Sequence, residues 1–191
     1  DTQKFDVTDD RQRFKMTHDT KPLLIRAFTL LVEELNRLRD LNSEKFNYIY
    51  KSLVASRVPD GEEYAYARTA FREVFKPFFE QNILTYDGQY LPKNQVKLFA
   101  GDIIIPLDKI GIIKYKWIND EVIKGLHRNG VDVETVDFST LLSDADSTKL
   151  EEWIKSLSEK EYSVFNKICD SHKNEINVQN HKIFRSNKGN L

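Results

Sequence analysis

The stretch that decides the fold runs from Glu62 to Pro92, EEYAYARTAFREVFKPFFEQNILTYDGQYLP. Its first half sets Tyr64, Ala67, Phe71, Val74, Phe75 and Phe78 at the three- and four-residue intervals of one helical face. Its second half changes period. Ile83-Leu84-Thr85 and Gln89-Tyr90-Leu91 are short β-prone runs on either side of Asp87-Gly88, a pair that favours a tight hairpin turn. A helix that feeds directly into a hairpin predicts an α+β fold, mainly helical with small β-hairpins. Pro77 has no N–H to give to the helical ladder and is expected to end the helix or bend it.

Toward the N-terminus the pattern stays helical. Asp19 or Thr20 can cap a helix with Pro22 in its first turn, where a missing N–H costs nothing. Leu24, Ala27, Leu31, Leu35 and Leu38 then form one apolar face, widened by Leu23, Leu30 and Val32, opposite Arg26, Glu33, Arg37 and Arg39. A second helix follows Ser43 as its cap and uses Phe46, Ile49, Tyr50, Leu53 and Val54, before a turn at Pro59-Asp60-Gly61. Residues 1–20 are dense in charge and keep no period, and are read as a linker or arm.

Toward the C-terminus, Ile103 to Trp117 reads as strand or buried loop. Asn119 caps a short helix carrying Val122, Ile123 and Leu126 that stops at Gly130. Val131, Val133 and Val136 suggest a brief strand, and Phe138, Leu141 and Leu142 another short element. Ser147 or Thr148 caps a helix with Leu150, Trp153, Ile154 and Leu157; Ser158 caps one with Tyr162, Phe165, Ile168, Cys169 and His172. Ile183-Phe184-Arg185, a glycine turn and Asn190-Leu191 then echo the hairpin near residue 88. Residues 62–96 and 159–191 thus share a layout of helix, strand, glycine turn and strand, a pair of helix–helix–hairpin units. The expected division is 1–20 linker or arm, 21–118 helical unit with hairpin, and 119–191 second helical unit with a truncated hairpin. With Asp1 in place of an initiator methionine and an end one residue into a hairpin, the chain reads as a piece of a longer protein.

Composition narrows the function. Of 191 residues, 40% are hydrophobic and 31% charged, a globular balance, and 29 basic against 30 acidic residues leave a net charge of −1. A duplex-binding domain ordinarily carries a basic excess, because phosphate neutralisation dominates its affinity. The single cysteine, Cys169, excludes an internal disulfide and fits a reducing, cytoplasmic setting. No apolar run reaches the roughly 18–20 residues that span a bilayer. No glycine stands in a GxG, GxxxxGK or GxSxG pattern, and His18, His127, His172 and His181 are scattered, so no phosphate loop, nucleophile elbow or paired-imidazole metal site is expected. Cys169, Trp117 and Trp153 lie on apolar faces and read as core. The pairs Glu62/Glu63, Asp120/Glu121 and Glu151/Glu152 sit near helix starts, where the helix dipole favours them. These readings lead to no catalytic residue, no cofactor and no metal. The one candidate interaction cluster is Lys182, Arg185 and Lys188 on the last hairpin, preceded by Lys173. Two helices and a basic hairpin are also the outline of a winged helix, so a nucleic-acid-binding module is the alternative reading.

The segment Phe71–Val96, with Ile83, Leu84, Thr85, Asp87, Gly88, Tyr90, Leu91, Pro92 and Val96, resembles a recurring element of sacsin-like proteins. Ile183, Phe184, Arg185 and Gly189 match it more loosely, and Pro22 to Val54 is similar to the helical stretch that precedes it. The family is built of large proteins with a chaperone-type ATP-binding module of the GHKL superfamily followed by helical segments. That module needs an Asp-x-Gly-x-Gly element and an acidic-Asn helix, and neither occurs here, so no residue of this chain inherits a nucleotide contact. What the resemblance implies is a segment downstream of the ATP site: a non-enzymatic interaction or scaffold piece whose partner is another protein or the rest of the parent chain.

Overall fold

The computed structural model describes residues 18–99 and 105–171. The arm expected over 1–20 falls almost wholly outside them, as does the C-terminal hairpin, so that only the helix of the second repeat unit expected over 159–191 is described. The described residues are mainly helical with two small sheets, an α+β arrangement, and they form two compact units. The first takes in the chain up to Lys93 together with Ile118–Asp132; the second takes in Asn94–Trp117 and the chain from Val133 onward.

In the first unit, α1 (Lys21–Leu41), α2 (Ser43–Ala55) and α3 (Ala65–Gln81) lead into an antiparallel hairpin, β1 (Ile83–Leu84) with β2 (Tyr90–Leu91), and α4 (Asp120–Arg128) joins from later in the chain. Helix α3 buries Ala67, Ala70, Phe71, Phe75, Phe78 and Phe79. Pro77 does not end it. Pro77 and Glu73, whose carbonyl would lose its donor, both lie on the exposed side, where water can replace the missing bond. The core is aromatic: Tyr90 stands edge-on to Phe46 at 4.8 Å and to Tyr50 at 4.9 Å, and Phe28 packs on Phe71 and Phe75 at 5.7 and 5.6 Å. Edge-on pairs of this kind each add about 0.5–1.5 kcal/mol beyond the area they bury.

The inner face of α1 differs from the expected one. Leu35 is its buried residue, with Leu24, Phe28, Val32 and Leu38 half-buried along the same line, while Ala27, Leu30 and Leu31 face solvent. The long aromatic side chain of Phe28 fixes the rotation of the helix, because the facing side of α3 presents Phe71 and Phe75. Helix α2 buries Phe46, Tyr50 and Val54 and is capped by Asn42, one residue before the expected Ser43; the Asn42 carboxamide accepts from the Lys45 amide at 2.9 Å. Asn119 caps α4 as expected, accepting from the Glu121 amide at 2.9 Å, and the helix stops two residues before Gly130.

In the second unit, β3 (Val96–Phe99) lies between β4 (Lys116–Trp117) and β5 (Thr135–Val136), parallel to both. Helices α5 (Phe138–Asp144), α6 (Ser147–Ser156) and α7 (Glu159–Ser171) complete it. From 105 to 115 the chain is a buried loop rather than a strand, with Ile105, Leu107, Ile110, Ile112 and Tyr115 in the core and Ile113 outside. The element over Phe138–Leu142 is helical, capped by Asp137, and α6 is capped by Asp146, ahead of the expected Ser147 or Thr148. Ser158 caps α7 in a reciprocal box: its hydroxyl oxygen accepts from the Glu161 amide at 3.4 Å, while its N–H donates to the Glu161 carboxylate at 2.9 Å and its hydroxyl to the same oxygen at 2.5 Å. Those bonds hold the exposed Glu161 carboxyl below its ordinary pKa.

Candidate functional site

The expected interaction cluster, Lys182, Arg185 and Lys188, lies outside the described residues, together with Lys173. So do His172 and His181. What the described residues place together is a different basic group, in the first unit.

Arg57 and Asp60 lie in the turn after α2, Arg68 and Arg72 are one helical turn apart on α3, and Arg128 is the last residue of α4. They line one open hollow of about 260 Å³ with the buried Phe71 in its wall. Arg68 Nη1 donates to the carbonyls of Pro59 and of Gly61, the latter at 2.8 Å. Arg72 Nη2 donates to the Arg128 carbonyl at 3.1 Å, and Arg128 Nη1 to the Ala55 carbonyl at 3.1 Å. The carbonyls of Ala55 and Arg128 are end groups of α2 and α4, which have no acceptor role inside their helices, so the two arginines also act as caps. Arg57 pairs with Asp60.

A second surface is the solvent side of α1. Leu23, Ala27, Leu30, Glu34, Arg37 and Leu41 recur at intervals of four, three, four, three and four, the spacing of a helix–helix seam. Leu30 is 56% and Leu41 69% exposed, and Leu31 beside them 38%. The polar pair in the row is self-satisfied: Arg37 donates to both carboxylate oxygens of Glu34, at 2.9 and 2.7 Å. The inner face expected from the sequence takes in Leu23, Ala27 and Leu30 of this row, of which Leu23 is half-buried and Ala27 and Leu30 face solvent. The signal for a separate row was the four-three spacing itself, once Phe28 is taken as the inner centre.

The hairpin that carries the family resemblance is explained by local chemistry. The Thr85 hydroxyl donates to Asp87 Oδ1 at 2.6 Å and accepts from the Gln89 amide at 2.9 Å, while Gly88 takes φ 81°, a conformation L side chains resist. Tyr90 Oη donates to Asn47 on α2 at 2.7 Å, and Asn82 accepts from Arg39 on α1 at 2.6 Å. These residues therefore fix the hairpin to the helices. In the second unit, Trp117 is buried and its Nε1 donates to the Ile105 carbonyl at 2.7 Å. Trp153 stands perpendicular to Phe165, and both line a hollow of about 500 Å³ in which the apolar Pro106, Leu157 and Val164 meet the charged Lys109, Lys160 and Glu161. Cys169 is buried, and loss of hydration pushes its thiol up to about 12, so it is held in the unreactive protonated form. His127 Nδ1 meets Asp132 at 2.6 Å on the surface. Among the described residues no group of His, Cys, Asp or Glu is arranged to hold a metal ion, and no helix is long and apolar enough to cross a membrane.

Compared with protein-family models, curated proteins and solved structures, the chain finds no significant match in any of the three.

Proposed function

We propose that this chain is a non-enzymatic interaction or scaffold segment of a larger, cytoplasmic, chaperone-like ATPase, with ATP held elsewhere in the parent protein. The observation that carries the reading is the second apolar row of α1. A helix packed on one side ordinarily keeps its other side polar. Here Ala27, Leu30 and Leu41 continue at seam spacing on the solvent side, from a half-buried Leu23, and the charged residues between them neutralise each other. Such a row suits an amphipathic helix supplied by the rest of the parent, packed as one helix of a coiled coil packs on another. The resemblance of Phe71–Val96 to sacsin-like proteins supports a chaperone-type parent.

Two measurements test this. Calorimetry with magnesium–ATP should show no binding to this chain, and micromolar affinity would overturn the assignment of ATP to another module. Association with the flanking helical segments of the parent, expressed separately, should weaken about tenfold or more for Leu30→Asp, roughly 1.4 kcal/mol, with melting unchanged. Equal affinity of the variant would remove α1 as the contact surface.

A further inference from the structure

The arginine-lined hollow plays no part in the scaffold reading, and it has a chemistry of its own. Four guanidiniums and one carboxylate, Asp60, line it, which leaves a local excess of three positive charges. Arginines clustered for structural reasons are ordinarily matched by carboxylates, and here three of the four are tethered by backbone carbonyls instead. A carbonyl fixes a guanidinium in place without cancelling its charge. Each guanidinium has five N–H donors, so most of the hydrogen-bonding capacity is unspent. Among the described residues Arg68, Arg72 and Arg128 make no ion pair. Arg57 does pair with Asp60, but the two side chains are 64% and 70% exposed, where solvent screens the attraction. Helix capping accounts for the positions of Arg72 and Arg128. It does not account for the arrival of Arg57 and Arg68 at the same hollow.

The size of the hollow selects among anions. At about 260 Å³ it lies below the roughly 300–1,000 Å³ of pockets that enclose a whole drug-sized ligand. A single phosphate with a short stem fits that space, and Phe71 offers the stem an apolar contact. A phosphomonoester brings close to two negative charges and three acceptor oxygens, which answer several guanidinium forks at once, where a carboxylate brings one charge and two oxygens. We infer that the hollow is a receptor for one phosphomonoester group on a short stem, the chemistry shared by a phosphorylated protein side chain and a small phosphate ester.

The test uses the full chain with nitrogen-15 label and phenyl phosphate as probe, read at the arginine Nε–H signals. Arg57, Arg68, Arg72 and Arg128 should shift together along one saturating curve while the exposed Arg26 stays still. Arg57→Gln, which removes an exposed side chain with no capping role, should weaken binding about tenfold and leave the melting temperature in place. Asp60→Asn should tighten binding by up to about fivefold, because it deletes the one opposing charge. A structural role alone would move neither affinity. A phosphoserine tripeptide that binds more tightly than phenyl phosphate assigns the site to a protein side chain, and the reverse order assigns it to a small ester. The inference is overturned by a linear drift shared with Arg26, by indifference to Asp60→Asn, or by an oligonucleotide or ATP binding more tightly than both esters. It is independent of the scaffold reading: loss of phenyl phosphate binding leaves the α1 row untouched, and failure of Leu30→Asp leaves the hollow untouched.

Discussion

Tyr50 shows how much a single polar atom matters in an aromatic core. The ring is buried between Phe46, Phe78, Phe79 and Tyr90, where only the Leu84 backbone approaches its hydroxyl, and outside good hydrogen-bond geometry. Burial pushes its pKa well above the ordinary phenol value. A hydroxyl with so poor a partner recovers little of the roughly 1–3 kcal/mol that an unsatisfied buried donor costs, so Tyr50→Phe should leave the melting temperature unchanged or raise it. A drop of several degrees in thermal denaturation would show that the hydroxyl has a partner that matters. At this scale the sequence was informative wherever one residue decides its own surroundings. Cys169 on an apolar helix face, Asn119 as a cap and Asp87-Gly88 as a turn are all where their neighbours implied. It was uninformative for the arginine hollow. Arg57, Arg68, Arg72 and Arg128 come from three separate stretches, and only Arg68 and Arg72, four apart on one helix, are related by local spacing. The rest of the cluster exists because α4 returns to α2 and α3, a tertiary fact that no local pattern encodes.

Helix by helix, the errors share a cause. On α1 seven of the eleven apolar residues are leucines, and leucine periodicity alone fits two faces. The aromatic Phe28, matched by Phe71 and Phe75 across the interface, chooses between them. Along α3 the helix continues through Pro77 to Gln81 rather than ending there, because position 77 faces solvent. Of the two readings open for Ile103–Trp117, strand or buried loop, the described part from 105 to 115 takes the loop, because Ile105, Ile110 and Ile112 are buried around a turn while Ile113 faces out, rather than all on one side of a ladder. Gly125 in α4 is a feature that helix propensity misjudges. A Cβ there would overlap Val54 Cγ1 and the Val54 carbonyl oxygen on α2. Gly125→Ala gains about 1 kcal/mol of helix propensity but forces the two backbones apart, at a cost of roughly 1–3 kcal/mol or more. The net expected in urea titration is destabilisation. A more stable variant would mean that the helices separate without penalty.

For the molecule as a whole, the order in which the chain visits its two units matters. The first unit is assembled from two stretches, with Asn94–Trp117 of the second unit between them. A chain cut after Lys93 should therefore keep its helices but lose the α2–α4 packing, and it should melt at lower temperature and less sharply. A synthetic peptide covering 118–132, added in trans, should raise that temperature with concentration, as a ligand of the folded form does. No shift at any peptide concentration would mean that α4 adds nothing to the first unit. The interleaving also sets a timetable for synthesis. A ribosome that has released the chain up to Lys93 must add 39 more residues (132 − 93) before Asp132 is available. At about 5–20 residues per second this takes roughly 2–8 seconds, while a helix forms in about a microsecond. The nascent first unit therefore waits through those seconds with the α2 side around Val54 uncovered, and that interval is when a growing chain would need shielding from its neighbours.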